Sequence, residues 1–125
     1  MAIIADNDRL AEVFRLQAEL CKSLADPKRL MIIHHLRDGP KSVGELAEIL
    51  GLKQSNSSQH LGVLRKAGIV SAERKGNTVH YSLAIPRIAT ACDMVREAVA
   101  ERIQRERSLS DIMQDSSRPK PRIGD

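Results

Sequence analysis

The sequence predicts a mainly α-helical domain with one small β-hairpin, and two patterns support this fold class. Apolar residues recur at three- and four-residue spacing along most of the 125-residue chain, as they do in amphipathic helices. The spacing changes to two only in the short stretch after Gly68, as it does in β-strands. Two short helices followed by a hairpin make a winged helix-turn-helix. We therefore predict about five helices plus this hairpin, which we call the wing.

Two helices are predicted before Gly39. The first spans residues 8–25, where Leu, Val and Phe follow helical spacing. Asp26 is a good N-cap and proline is favoured at the first helical position, so the Asp26-Pro27 pair starts a second helix. Gly39 and the proline after it end this second helix.

The next two helices form the predicted helix-turn-helix. Ser42 and Glu45 have the spacing of a capping box, which starts the third helix, and Gly51 suits the left-handed conformation that often ends one. The fourth helix spans residues 53–67 and ends at Gly68. Its inward face is predicted to carry Ser57, Leu61 and Leu64.

The wing follows directly. Two strands are predicted around a turn at residues 75–78, because the alternation of apolar and polar residues is interrupted there by Gly and Asn. Val79, Tyr81 and Leu83 are predicted to point inward from the second strand.

A long final helix is predicted over residues 85–107. Its apolar stripe extends for about six turns, more than so small a domain can bury, and the first helix has a similar stripe. We therefore expect a symmetric homodimer in which the first and last helices of both chains pack together. Residues 8–107 form the predicted domain, and the polar residues 108–125 are predicted to be disordered. The stripe contains Ile85, Ile88, Cys92, Val95, Val99 and Ile103.

Positive charge is concentrated in the middle of the chain. Residues 22–83 carry ten Lys and Arg against five Asp and Glu, a net charge of +5, whereas the rest carries ten against eleven, a net charge of −1. This distribution is typical of a nucleic-acid-binding module. Aromatic residues make up only 2% of the chain, which argues against the base-stacking surfaces of RNA and single-strand binders. We therefore predict binding to double-stranded DNA.

Other function classes lack their usual sequence signals. The chain has no glycine-rich phosphate loop and no Ser, His and Asp arrangement with a nucleophile elbow, so we expect neither an enzyme nor a cofactor. The longest apolar runs have about four residues, against the roughly 20 that cross a bilayer, and the N-terminus has no signal-peptide pattern. We therefore expect a cytoplasmic protein with no membrane partner. A winged helix that binds proteins and has no operator is the alternative, although the basic wing argues against it.

The exposed face of the fourth helix and the wing are the candidate DNA contacts. Short hydroxyl and amide side chains at a helix start suit base edges, and the free N–H groups there suit a phosphate. Cations on the wing suit the DNA backbone or the minor groove. Two such helices in a dimer would match a palindromic operator. The candidate residues are Lys41, Lys53, Gln54, Ser55, Ser58, Gln59, His60, Arg65, Arg74, Lys75, Asn77 and Thr78.

Four segments carry a resemblance to a known family, namely LADPKRL, SVGELAEILGL, SQHLGVLRKAGIV and RKGNTVHYSL. Together they resemble the ArsR/SmtB family of dimeric winged-helix repressors, and the similarity covers residues 10–99. The resemblance implies operator binding without inducer and release by a metal, a metalloid or a thiol-reactive signal. Asn56 and Ser57 depart from the family's pattern, so the operator sequence does not follow from it. The resemblance places Gln54, Ser55, Ser58, Gln59 and His60 in the family's recognition helix.

The metal sites that this resemblance implies are missing from the sequence. The family's arsenic and lead/cadmium sensors carry a Cys-x-Cys-Asp box at the third helix, where this chain has Ser42, Gly44 and Glu45. Its zinc, cobalt and nickel sensors bind metal through Asp and His on the last helix, but this chain has no His after His80. A soft or borderline metal needs three or four converging ligands, so we predict no metal site.

Cys21 and Cys92 are the remaining candidates for receiving an inducing signal, whose identity stays open. They lie on the first and last helices, which the predicted dimer brings together. One interpretation is burial alone, because reduced cysteine packs as a small hydrophobe. The other is a reversible disulfide or polysulfide link, or a bound thiophilic ion, that shifts the terminal helices.

Overall fold

The computed structural model describes residues 7–117, and the chain divides into two compact units after Ala89. In its described part, the first unit holds four helices, a small sheet and the start of a fifth helix, and the second unit is the remainder of that helix. The helices are α1 (Asn7–Leu24), α2 (Pro27–Leu36), α3 (Val43–Leu50), α4 (Gln54–Lys66) and α5 (Pro86–Ser117). The strands are β1 (Lys41–Ser42), β2 (Val70–Lys75) and β3 (Thr78–Leu83).

Side chains cap α2 and α3 at the residues that the sequence predicts. The Oδ1 atom of Asp26 accepts hydrogen bonds from the backbone N–H groups of Lys28 (2.8 Å) and Arg29 (3.2 Å). At α3, the N–H of Glu45 donates to Oγ of Ser42 at 3.1 Å, and the N–H of Ser42 donates to the Glu45 carboxylate at 3.2 Å. Both predicted caps are confirmed, and each satisfies N–H groups that have no partner within the helix.

The ends of α3 and α4 share one backbone pattern. Gly51 and Gly68 follow these helices with φ angles of 65° and 76°, in the left-handed region that favours glycine. The N–H of the residue after each glycine donates to the carbonyl five residues earlier, at 2.9 Å in both cases. This is the Schellman arrangement, which turns the chain sharply out of a helix. The two glycines therefore determine where α4 begins and ends.

The core of the first unit lies between α2, α3, α4 and the base of the wing. Leu61 and Leu64 of α4 are fully buried, as the sequence predicts. Leu20 and Leu24 of α1 are only half-buried against this core, and no described residue of α1 is fully buried. The packing of α3 and α4 beside a hairpin confirms the predicted winged helix-turn-helix. The buried cluster contains Ile32, Ile33, Leu36, Leu46, Leu50, Leu61, Leu64, Ile69, Val70 and Ala89.

The wing is larger than the predicted hairpin, because β1 adds a third strand in the order β1-β3-β2. β1 pairs antiparallel with β3, so that Lys41 lies opposite Tyr81. The loop between β2 and β3 is Gly76-Asn77, and positive φ at its first residue alone matches a type II′ turn. Tyr81 and Leu83 pack against the core as predicted, while Val79 is half-buried outside the core cluster.

The final helix extends further than the sequence pattern predicts. α5 continues to Ser117, so residues 108–117 are helical, which corrects the predicted end at Arg107 and the predicted disorder of these ten residues. The rest of the predicted tail lies outside the described residues. No glycine or proline occurs from Arg87 to Ser117, so this stretch has no helix-breaking residue despite its polar composition.

Candidate nucleic-acid interface

The two faces of α4 differ as a DNA-contacting helix requires. Ser57, Leu61 and Leu64 are fully buried and hold the helix on the core. The opposite face is exposed to solvent, and the spacing of residues in the sequence predicts both faces. The exposed side chains are Gln54, Ser55, Ser58, Gln59, Arg65 and Lys66.

The N-terminus of α4 lacks a side-chain cap. No described side chain caps this helix at Lys53, in contrast to the capped starts of α2 and α3. Its first backbone N–H groups therefore remain available to an anion. The side chain of Gln54 lies beside the start of α3, since a Cβ atom placed on Gly44 would come within 3.1 Å of its Nε2 atom. Gly44 thus leaves room for Gln54 where the two helices meet.

His60 is also placed among the candidate residues by the sequence, but its side chain lies against the corner between α1 and α2. Its Nδ1 atom is 3.4 Å from a guanidinium nitrogen of Arg29 and 3.8 Å from Oδ1 of Asp26. Arg29 in turn donates from Nε to the carbonyl of Ser23 at 2.7 Å. His60 therefore makes a contact that positions α4 on the first two helices, which the sequence pattern does not indicate.

Asp26 is the acidic group of this corner, and its pKa lies below the usual range. Burial acts to raise this pKa, but hydrogen bonds from the N–H groups of Arg29 and Lys28, helped by electrostatic interaction with His60 and Arg29, outweigh it. The unfolded chain has an Asp pKa of about 3.9. A folded pKa below that value means that the carboxylate stabilises the fold above about pH 4, and that this contribution is lost as pH falls through the folded pKa.

We expect Asp26→Ala to lower Tm at neutral pH by about 5 °C, because it removes both the cap and the charge. Asp26→Asn retains a capping oxygen, so its Tm should fall less. The Tm difference between wild type and Asp26→Asn should shrink as the pH is lowered from about 6 to about 3. Asp38→Asn, at an exposed position, is the matched control. A Tm difference at position 26 that does not change over this pH range would contradict the assigned role of the charge.

The tip of the wing is polar and basic. Arg74, Lys75, Asn77 and Thr78 are all exposed around the loop, and Lys41 is half-exposed on the neighbouring strand. The pairing of Lys75 with Thr78 closes the tip and holds both side chains at the far end of the sheet. These residues and the outward face of α4 belong to the first unit, which therefore carries every DNA contact that the sequence predicts.

The comparison with known proteins decides the family. A model of the bacterial regulatory proteins of the arsR family matches residues 26–72, which contain α2, α3, α4 and the first half of β2. The HTH-type transcriptional regulator Rv0081 of Mycobacterium tuberculosis is 46% identical over 89 residues, which make up 70% of this chain and 78% of that protein. This chain belongs to the ArsR family.

Solved structures agree with membership of the ArsR family. The crystal structure of Rv0081 matches with a TM-score of 0.66 at 44% identity, over 77% of this chain and 96% of that one. The homodimeric winged helix-turn-helix DNA-binding domain Mb0332 of Mycobacterium bovis matches with a TM-score of 0.71 at 28% identity, over 80% of this chain and 93% of that one. The transcriptional repressor BigR of Xylella fastidiosa matches with a TM-score of 0.64 at 32% identity, over 78% of this chain and 96% of that one. The ArsR-family chain is thus a transcriptional regulator and not an enzyme.

The candidate sensor residues of this ArsR-family chain lie apart from the candidate DNA contacts in the sequence. Cys21 is exposed on α1 in the first unit, and Cys92 is half-buried on α5 in the second unit. Neither forms a disulfide. Among residues 7–117, no group of three or more His, Cys, Asp and Glu side chains is arranged to hold a metal ion. None of the described helices has the length and apolar character to span a membrane.

Proposed function

We propose that this ArsR-family regulator is a homodimeric repressor that binds a palindromic operator through α4 and the wing. The observation that carries the proposal is the outward face of α4, where small polar side chains are exposed above a fully buried anchoring face. Side chains of this kind contact base edges in the major groove, which an α-helix fits. The exposed cations at the wing tip would neutralise phosphates beside that groove.

Apolar side chains exposed on α1 and α5 support the dimer. On α1, Val13, Phe14 and Leu16 are 44%, 60% and 51% exposed in the single chain. On α5, Val95 and Val99 are 64% and 49% exposed, and the exposed apolar residues continue through Leu109, Ile112 and Met113. Apolar surface of this extent usually marks a protein interface, and a second copy of the chain offers the same surface. The similarity to the homodimeric Mb0332 domain also supports a dimer.

DNA selection tests the proposal. A duplex selected by the wild-type protein from a random pool is compared with a random duplex of equal length, and we expect a palindromic sequence to be selected. Ser58→Ala and Gln59→Ala should each reduce the preference for the selected duplex by about 5- to 150-fold, as expected when one base contact is lost. Glu48→Ala, at an exposed position on α3, is the matched control. Absence of any selected sequence would favour the protein-binding alternative, and sedimentation as a monomer at micromolar concentration would contradict the dimer.

We further propose that a thiol-reactive signal acting on Cys21 and Cys92 releases the repressor. Exposure of Cys21 gives an oxidant access to its thiol. A disulfide between the two residues would require their Cα atoms within about 7 Å and would release two protons and two electrons to the oxidant. A link of this kind between α1 and α5 would change the packing of the helices that carry the proposed dimer interface, and so the spacing of the two copies of α4.

The thiol proposal predicts a loss of operator affinity in the wild type only. Treatment with peroxide, polysulfide or arsenite should weaken operator binding by about 5- to 150-fold, the usual range of coupling between two sites. Cys21→Ser and Cys92→Ser should each retain the affinity of the reduced protein under the same treatment. Unchanged wild-type affinity under all three reagents would leave both cysteines with packing roles.

A further inference from the structure

Gly62 lies in the interior of α4 and is exposed. Its φ angle is not positive, unlike those of Gly51 and Gly68. Apart from the two adjacent residues and the helix's own backbone, no described atom lies within 4 Å of the position that a Cβ atom would take at Gly62. The fold therefore has room for a side chain here, although glycine in a helix interior is less stable than alanine. The glycine is explained neither by a turn nor by internal packing.

The position of Gly62 on the helix indicates what it does. Residues three and four positions apart lie side by side on a helix, so Gly62 has Ser58 and Gln59 on one side and Arg65 and Lys66 on the other. All four side chains are exposed. Gly62 therefore lies between the candidate base contacts and the basic end of α4.

Short side chains make the depth of α4 in the groove important. The hydroxyl of a serine is only two bonds from Cα, so Ser58 can touch a base edge only when the backbone of α4 comes close to the floor of the groove. A glycine permits such an approach, because no Cβ atom meets the DNA first. We infer that Gly62 is a specificity-determining residue, whose bare backbone lets α4 enter the major groove deeply enough for Ser58 and Gln59 to reach the bases. This inference rests on the proposed function.

The substitution Gly62→Ala separates stability from binding. We expect Tm to rise by about 3–6 °C, because alanine is the better helix former and the added methyl group has space. We expect affinity for the selected duplex to fall about tenfold or more, the loss typical of a disturbed base contact. Affinity for a random duplex should change less than about twofold, because long Lys and Arg side chains can follow a small displacement of the phosphates. The two affinities are measured by fluorescence anisotropy at one salt concentration.

Thr90→Ala in α5 is the matched control, since it also exchanges an exposed helical residue for alanine. Its Tm should rise without loss of operator affinity. This result would show that higher helix stability alone does not cause the affinity loss of Gly62→Ala. The inference is overturned if Gly62→Ala binds the selected duplex as tightly as wild type. It is also overturned if Gly62→Ala loses affinity equally for both duplexes, or if its Tm falls. If the wild-type protein preferred no duplex, this result would instead contradict the proposed function itself.

Discussion

Exchange of Arg74 and Lys75 together for alanine is expected to weaken binding to every DNA duplex by a similar factor, about tenfold or more at low salt. Both side chains are exposed at the wing tip, and a cation that neutralises a phosphate reads no base sequence. Each phosphate neutralised contributes about −0.9 to the slope of log affinity against log salt. The slope of the double variant should therefore be less negative by about 1.8.

The matched control for the wing variant is the double exchange of Arg105 and Arg107 for alanine. It removes the same charge from exposed positions on α5, outside the candidate interface. Titrations at four or more salt concentrations measure both slopes. The assignment of the wing to the DNA backbone would be wrong if the wing variant had the wild-type slope, or if the α5 variant flattened the slope by the same amount.

Leu61→Ala is expected to lower the free energy of unfolding by about 2–5 kcal/mol. Leu61 is fully buried and, with Leu64, anchors α4 in the core. The loss combines the transfer free energy of the removed methyl and methylene groups with the free energy of the cavity that remains. Since domains have about 5–15 kcal/mol of stability in total, this single change would remove a large share of that stability.

Urea denaturation at several protein concentrations measures this loss and separates it from dimer dissociation. Val63→Ala is the control within the same helix, because Val63 is 40% exposed and should lose less than about 1 kcal/mol. Equal losses for the two variants would mean that the inward face of α4 is assigned wrongly.

Local signals explain why so much of the fold can be predicted from the sequence. The caps at Asp26 and Ser42, and the left-handed glycines after α3 and α4, depend on residues within one turn of each other. The inward face of α4 follows from helical spacing, because Ser57, Leu61 and Leu64 recur at three- and four-residue intervals on one side of that helix. These features need no knowledge of distant parts of the chain.

The features that the sequence does not predict depend on distant residues. β1 is only two residues long and exists because Lys41 lies opposite Tyr81, 40 positions later. The contact between His60 and Arg29 joins residues 31 positions apart, and helical spacing alone assigns His60 to neither the core nor the DNA. Helical spacing does predict the inward position of Ser57, but it does not predict that the buried Oγ atom has no hydrogen-bond partner among the described residues.

The two left-handed glycines that flank α4 have a consequence for how such regulators diverge. They turn the chain just before the helix and just after it, while Ser57, Leu61 and Leu64 pack on the core and His60 contacts Arg29. The exposed positions of α4 can mutate with little loss of folding stability. After gene duplication, one copy can therefore acquire new target promoters by a few changes on this helix while it keeps its scaffold, and the same segment can be exchanged between regulators as a cassette.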